Sequence, residues 1–448
     1  MRHFIYKTLD ELRRAAEAEG AAHVQFMEDP QEVRRVLAQR VRVGRFTLAN
    51  SIAIQPMEGC DGTADGRPDE LTWRRYRRFA GGGAGLIWFE ATAVREDGRA
   101  NARQLWITPQ NVAEFARLRE VLGDTLAPIQ LTHSGRYSVL RRMIAYHNPH
   151  IDRTTKTAPD YPAISDDELM RLEDDYVRAA GLALQAGFQA VDVKAVHGYL
   201  ISELLGAKTR AGRYGGTLEN RARFLRNVIG KIRAAFGSRL LIAVRINAFD
   251  GVPFGSNFET PYPYGWGVDA ADPAREDLTE VKQVIGWLVE SGVELLNISL
   301  GSPYYNPHIG RPFEKPDEGN YEQPEHPLAG VDRHFRIAAE IQHAFPRLPI
   351  VGTGYSWLQK YAIHAGAHNI AAGNIRIFGV GRGALAYPEF ARDALERGEL
   401  DERRCCKTLT YCTYLMRHKF PVGCPPFDKE AYGPMIKLAR HQVTPPSR

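Results

Sequence analysis

The 448-residue chain has only five cysteines, and four of them crowd one C-terminal stretch as Cys405, Cys406, Cys412 and Cys424. An odd number so placed is not a secreted disulfide framework. Long apolar runs are missing too. None reaches the length that spans a bilayer, and the opening MRHFIYKTLDELRRAAEAEG has no apolar core of signal-peptide length. Excess charge of one sign is small, a net +5 dispersed along the chain. Arg74-Arg75 and Arg77-Arg78, beside Trp73 and Tyr76, read as a solvated helix face rather than a nucleic-acid patch. No internal repeat or low-complexity tract is evident. These absences lead us to expect a cytoplasmic protein with neither a nucleic-acid nor a membrane partner.

What is present is an ordinary globular composition, 44% hydrophobic and 25% charged, enough for a large core. Residues 1–40 read as a helical arm: Leu9, Leu12, Ala15 and Ala16 share a face, and a second short helix starts near Pro30. From residue 41 onward strand and helix patterns alternate, as in parallel βα units. Strands are expected at 51–55, 85–90, 127–132, from Ala190 to Val193, and at 240–246, 294–299, 349–351 and 375–378. Helices are expected over 69–79, from a Ser165/Glu168 capping box to about Gln185, and over 219–225. Eight such units close most simply as an α/β fold, the (β/α)₈ TIM barrel, over residues 41–395. Its chemistry then sits at the C-terminal strand ends. Residues 396–448 form a short C-terminal extension.

Two connections are too long for plain turns. One, 249–277, carries Phe254, Phe258, Tyr262, Tyr264 and Trp266; the other, 301–327, carries Tyr304, Tyr305, His308 and Arg311. Such loops are expected to be lids or substrate walls, with a homo-oligomer contact as the alternative.

One stretch concentrates the chemistry. The strand beginning at Ala190 runs into Lys194, Ala195, Val196, His197, Gly198 and Tyr199, which places several proton-donating groups at one strand end. A loop follows with Tyr214-Gly215-Gly216-Thr217-Leu218-Glu219-Asn220-Arg221. This stretch closely resembles the old yellow enzyme family of flavin-dependent reductases. There the strand usually ends His-x-x-His or His-x-x-Asn before Gly-Tyr, so Lys194 is a departure. Further segments, in order, are similar: Pro56-Met57, Ala91, Gln130 in Gln130-Leu131-Thr132-His133, Arg245 on the fifth strand, Gly354-Tyr355 and Gly381-Arg382. The resemblance covers about residues 41–392.

The resemblance implies bound FMN and NAD(P)H as co-substrate. Pro56, Met57 and Ala91 would contact the ring by backbone, Gln130 its pyrimidine edge and Arg245 its N1 side, where a permanent cation suits the negative charge of the reduced ring. Gly354, Tyr355, Gly381 and Arg382 would surround the phosphate. Tyr199 would protonate the substrate, with His197 and Lys194 binding its oxygen. Glu58 stands near the flavin where the family commonly has Thr or Cys, and an unpaired carboxylate there disfavours the anionic reduced ring. Glu58 and Lys194 are therefore expected to interact, directly or through one water. Cys60 reads as a buried inert thiol.

The implied reaction on a small-molecule substrate is NAD(P)H-dependent reduction of an electron-poor C=C bond, as by an ene-reductase. The alternatives are an oxidative amine dehydrogenase and a flavin-binding protein with little catalysis. Larger relatives, similar to dienoyl-CoA reductase and trimethylamine dehydrogenase, hold a [4Fe–4S] cluster where this chain has Cys405, Cys412 and Cys424, with Thr408 at the second ligand position. A hydroxyl serves iron poorly and Cys406 is displaced, so no metal is expected. The dinucleotide-binding region of those relatives is not expected either, with Arg448 the last residue.

Overall fold

The structure, a computed structural model, describes residues 4–252, 259–314 and 321–443. Phe254 and Phe258 of the first long loop lie outside the described residues.

Two three-residue strands, β1 (Val41–Val43) and β2 (Phe46–Leu48), form an antiparallel hairpin. The barrel strands follow: β3 (Ile52–Ile54), β4 (Leu86–Ile87), β5 (Phe89–Ala93), β6 (Pro128–Thr132), β7 (Ala190–Val193), β8 (Leu241–Asn247), β9 (Leu295–Ser299), β10 (Ile350–Gly352) and β11 (Ile377–Val380). The parallel sheet runs β4-β3-β11-β10-β9-β8-β7-β6-β5. Since β4 and β5 are one strand interrupted at Trp88, the sheet closes on itself as a barrel of eight strands. Every described residue of β3 to β11 is buried, as expected of strands covered on both faces.

Alternate strand residues share a face, and the barrel interior uses this in layers. Ala53, Leu86, Ala190, Leu241, Ala243, Leu295, Val351 and Ile377 cluster at the bottom. Val43 and Leu48 of the hairpin pack into that cluster and plug the barrel floor. Two residues further along the strands the interior turns polar, with Gln55, Asp192, Arg245 and Asn297. Another step brings Lys194 and Ser299 to the C-terminal mouth. The same register thus sets an apolar floor under a polar rim.

Helix Glu70–Ala80 corrects one expectation. Its basic run is not a solvated face: Arg75 is 5% exposed and ion-paired with both Asp61 and Glu90. Arg74 and Arg78 hold Asp428 of the C-terminal extension, Arg78 at 2.6 Å. The extension, with helices Tyr411–Arg417 and Lys429–Val443, is further tied to the barrel by the Val422 N–H donating to the Gly59 carbonyl at 2.7 Å. The N-terminal helices Leu9–Ala18 and Pro30–Leu37 pack into the main core through Leu12, Ala16, Val33 and Val36.

Candidate active site

A cavity of about 220 Å³ lies at the C-terminal mouth of the barrel. It gathers all the site residues expected from sequence. Pro56, Met57 and Glu58 reach it from the end of β3, Ala91 from β5 and Gln130 from β6. Lys194, His197 and Tyr199 come from the end of β7, and Arg245 from β8. Gly354 and Tyr355 follow β10, and Gly381 and Arg382 follow β11. Tyr355 offers only part of itself: its ring packs between Phe335 and Phe378, and its hydroxyl accepts from Asn369 Nδ2 at 3.0 Å.

Asp192, which sequence reading passed over inside an apolar strand, organises the floor of this cavity. Its carboxylate accepts from Trp88 Nε1 at 2.8 Å, Gln130 Nε2 at 2.6 Å and the Arg245 backbone N–H at 2.7 Å. Burial lifts it to about 6. Because only the NH₂ end of Gln130 can donate to a carboxylate, its Oε1 is left as an acceptor on a residue that lines the cavity. Gln55 is fixed in a similar way, donating to Gly352 O at 3.1 Å and accepting from Asn297 Nδ2 at 2.6 Å. Arg245 donates to Pro56 O at 3.4 Å, while its Nε is buried without a partner among the described residues. Burial brings it down to about 10, opposed by Asp192, so it stays cationic at neutral pH.

The proton-bearing wall is aromatic. Lys194, 3% exposed, holds its ammonium 3.7 Å from the Tyr199 ring centre, a cation–π contact. The Tyr199 hydroxyl is 3.0 Å from that of Tyr304, and Tyr304 stacks on Tyr137 at 3.7 Å between ring centres. His197 has a left-handed backbone, φ 68, and its carbonyl accepts from Ser302 Oγ at 3.1 Å. Of the expected interaction between Glu58 and Lys194, direct or through one water, the direct pairing does not form. Among the described residues no salt bridge joins them; Glu58 Oε1 instead accepts from Asn101 Nδ2. They act on each other through space. Burial raises the Glu58 carboxyl and Lys194 opposes that rise. Burial lowers Lys194 to about 7, opposed by Glu58 and reinforced by Arg245. Cys60 lies outside the cavity wall, 4% exposed, and burial pushes its thiol well above the ordinary range.

The opposite end of the cavity is cationic. Arg382 donates to Pro312 O at 2.7 Å, and its Nη1 is buried without a partner among the described residues. Arg311, on the loop after β9, bonds Thr413 Oγ1, while its Nε and Nη2 are buried with no partner among the described residues. Burial and the nearby Arg382 bring Arg311 down to about 9. Gly354 sits at φ +94, and a Cβ there would run into the His334 side chain, so only glycine fits. Cys412, Thr413, Met416 and Val422 complete this wall. The C-terminal extension therefore belongs to the cavity, which the sequence did not reveal.

The cysteines differ from the spacing-based expectation. Cys406, not Cys405, joins Cys412, Cys424 and Thr408 around a small void of about 30 Å³, while the Cys405 thiol donates to Asp401 O at 3.4 Å. Among the described residues no group of three or more His, Cys, Asp or Glu side chains is arranged to hold a metal.

Comparison with known proteins accords with this geometry. The family model of the NADH:flavin oxidoreductase / NADH oxidase family matches residues 37–290. The NADPH dehydrogenase of Bacillus pumilus is 32% identical over 265 residues, 57% of this chain and 70% of the relative. That of Bacillus subtilis is 30% identical over 277 residues, 60% of this chain and 74% of the relative. Among solved structures, the old yellow enzyme homologue from Zymomonas mobilis aligns with a TM-score of 0.60 at 22% identity, over 87% of this chain and 98% of that one. A 2-naphthoyl-CoA reductase complex gives 0.67 at 18% identity, over 87% of this chain and 56% of that one. Histamine dehydrogenase from Rhizobium sp. 4-9 gives 0.69 at 20%, over 89% of this chain and 53% of that one. The chain thus spans just over half the length of those last two, and at such identities the likeness shows the fold alone. With the family model covering more than half of its length, the chain belongs to the NADH:flavin oxidoreductase / NADH oxidase family, that of old yellow enzyme, and is an NAD(P)H-dependent FMN oxidoreductase.

Proposed function

We propose that the protein reduces a C=C bond conjugated to an electron-withdrawing oxygen group. The observation that carries this reading is the convergence of Lys194, His197 and Tyr199, from one strand end, on a cavity whose other walls suit FMN. The fit rests on buried donors with no partner among the described residues: Arg245 Nε on the floor, and Arg311 Nε and Nη2 with Arg382 Nη1 at the cationic end. Arg245 would face the N1 side of the ring, and the free Gln130 Oε1 would accept from its imide N–H. Arg311, Arg382 and the turns at Gly354 and Gly381 would hold the phosphate. FMN bound there supplies the hydride.

The remaining chemistry falls to side chains of this chain. Burial and Glu58 hold the Tyr199 phenol well above its usual range, so it stays protonated and can give its proton only to a strongly basic carbon. Burial, Arg245 and Lys194 hold His197 well below its usual range, so its neutral ring donates one N–H to the substrate oxygen. Lys194, near 7, offers an ammonium to the same oxygen, and negative charge building there strengthens that contact. Tyr304, hydrogen-bonded to Tyr199 and 38% exposed, would return a proton from solvent.

Glu58 favours a second reading, oxidation of an amine held as a cation. Lys194 opposes it, since two cations would share one dry cavity. Five free thiols suit a reducing compartment, and we read the protein as cytoplasmic; among the described residues no helix is long and apolar enough to cross a membrane. Mixing the FMN-loaded protein anaerobically with NAD(P)H, with cyclohexenone and with simple amines separates the readings.

A further inference from the structure

Outside the active cavity lies a second recess, a groove of about 760 Å³. Tyr304 lines both, so the groove begins where the proton-bearing wall ends. Besides Tyr304, two neighbouring segments, Arg136 to Arg142 and the end of helix Pro149–Thr155 with Lys156, and the distant Lys419 of the C-terminal extension build it. Arg136, Arg142, Lys156 and Lys419 are cationic, and among the described residues no acidic side chain lines the groove. Arg136 is already committed to Asp152 and Glu203. Arg142 spends one N–H on the Thr155 carbonyl at 2.7 Å. Lys156 and Lys419 are exposed, and among the described residues no carboxylate lies within salt-bridge distance of either. Val139 and Leu140, 52% and 62% exposed, add an apolar lip.

Cations from three chain segments, with no acid between them, repel one another and gain from an anion that bridges them. A small neutral enone has no use for such a groove. A nicotinamide coenzyme does: its ring must enter the cavity, which leaves its adenosine half outside. We propose that this groove receives the 2′-phosphoadenosine end of NADPH. Lys156, Lys419 and Arg142 take the 2′-phosphate, Val139 and Leu140 lie against the adenine, and the groove sets a preference for NADPH over NADH. The proposal rests on the reading that a nicotinamide coenzyme delivers hydride to the cavity.

Full-length FMN-loaded protein is titrated calorimetrically with 2′,5′-ADP and with 3′,5′-ADP, and its flavin reduction by NADPH and NADH is followed by stopped flow. Lys156 and Lys419 both have left-handed backbone, φ 52 and φ 63, which Asn tolerates, so Lys156→Asn/Lys419→Asn removes charge without adding strain. We expect 2′,5′-ADP to bind and to compete with NADPH. The double variant should weaken that binding about tenfold and lower the NADPH-to-NADH rate ratio by a similar factor, as the loss of a charge-assisted contact implies. Unchanged 2′,5′-ADP affinity in the variant, or an unchanged coenzyme ratio, overturns the proposal. So does tighter binding of 3′,5′-ADP, which would assign the groove to a CoA-type tail. If neither coenzyme reduces the flavin, the functional reading fails, and 2′,5′-ADP binding and its loss in the variant still decide the groove.

Discussion

The Lys194 ammonium sits 3.7 Å from the centre of the Tyr199 ring, a buried lysine resting on the side chain assigned as proton donor. Its cost has a pH signature. Burial lowers Lys194 from 10.5 to about 7, so between those values the unfolded chain holds a proton that the folded chain has released. Stability contributed by this group rises with pH across that window, and its penalty is complete below about 7. Lys194→Met should raise the melting temperature at pH 6 and flatten the rise between pH 7 and 10. Thermal melts across that range check this, and an unchanged pH dependence would show that Lys194 titrates normally.

Tyr199→Phe removes the acid and leaves the ring under Lys194. Flavin reduction by NAD(P)H should persist, and the alkene half-reaction should slow by about 10²–10⁴-fold, the usual contribution of a positioned acid. Stopped-flow reoxidation by an enone measures it. Equal rates in the two proteins would transfer the role to another group.

Arg245 keeps one N–H on the cavity floor buried without a partner among the described residues. If it faces the reduced ring, Arg245→Ala weakens binding of the reduced flavin more than of the oxidised. The midpoint potential should fall by about 30–60 mV, the equivalent of one hydrogen bond to a charged group. Redox titration against a reference dye tests this, and an unshifted midpoint would remove Arg245 from the flavin site.

At the cationic end the test is chemical. Arg311→Ala should lower affinity for FMN about tenfold or more and leave affinity for riboflavin, which lacks the phosphate, nearly unchanged. Fluorescence titration of the apoprotein with each flavin gives both numbers. Equal losses would show that Arg311 supports the fold of the loop after β9 rather than the phosphate.

The barrel was legible because fully buried parallel strands leave short apolar runs between turn signals. The strand-end residues were legible through their resemblance to a known pattern. Other features depend on contacts between distant parts of the chain. The hairpin from Val41 to Leu48 consists of three-residue strands whose role, plugging the floor, exists only once the barrel has closed. Arg75 looks like part of a solvated run until Asp61 and Glu90 face it from other elements. Asp192 looks like a blemish in an apolar strand until Trp88, Gln130 and the Arg245 backbone supply three donors. Arg311 and Thr413 meet across about a hundred residues of sequence, so no local pattern shows that the extension walls the cavity. Cys406 rather than Cys405 lines the small void because the Cys405 thiol is buried in the main core and bonded to the Asp401 carbonyl, contacts that spacing alone does not show.

The most direct test of the account is a double-mixing stopped-flow experiment under anaerobic conditions. The FMN-loaded protein is first mixed with one equivalent of NADPH and then with excess cyclohexenone, while flavin absorbance is followed and the organic product is identified. The account predicts bleaching of the flavin in the first mix, recovery of its colour in the second, and one equivalent of cyclohexanone. Bleaching by an amine but not by NADPH, or a reduced flavin that the enone fails to reoxidise, would contradict it.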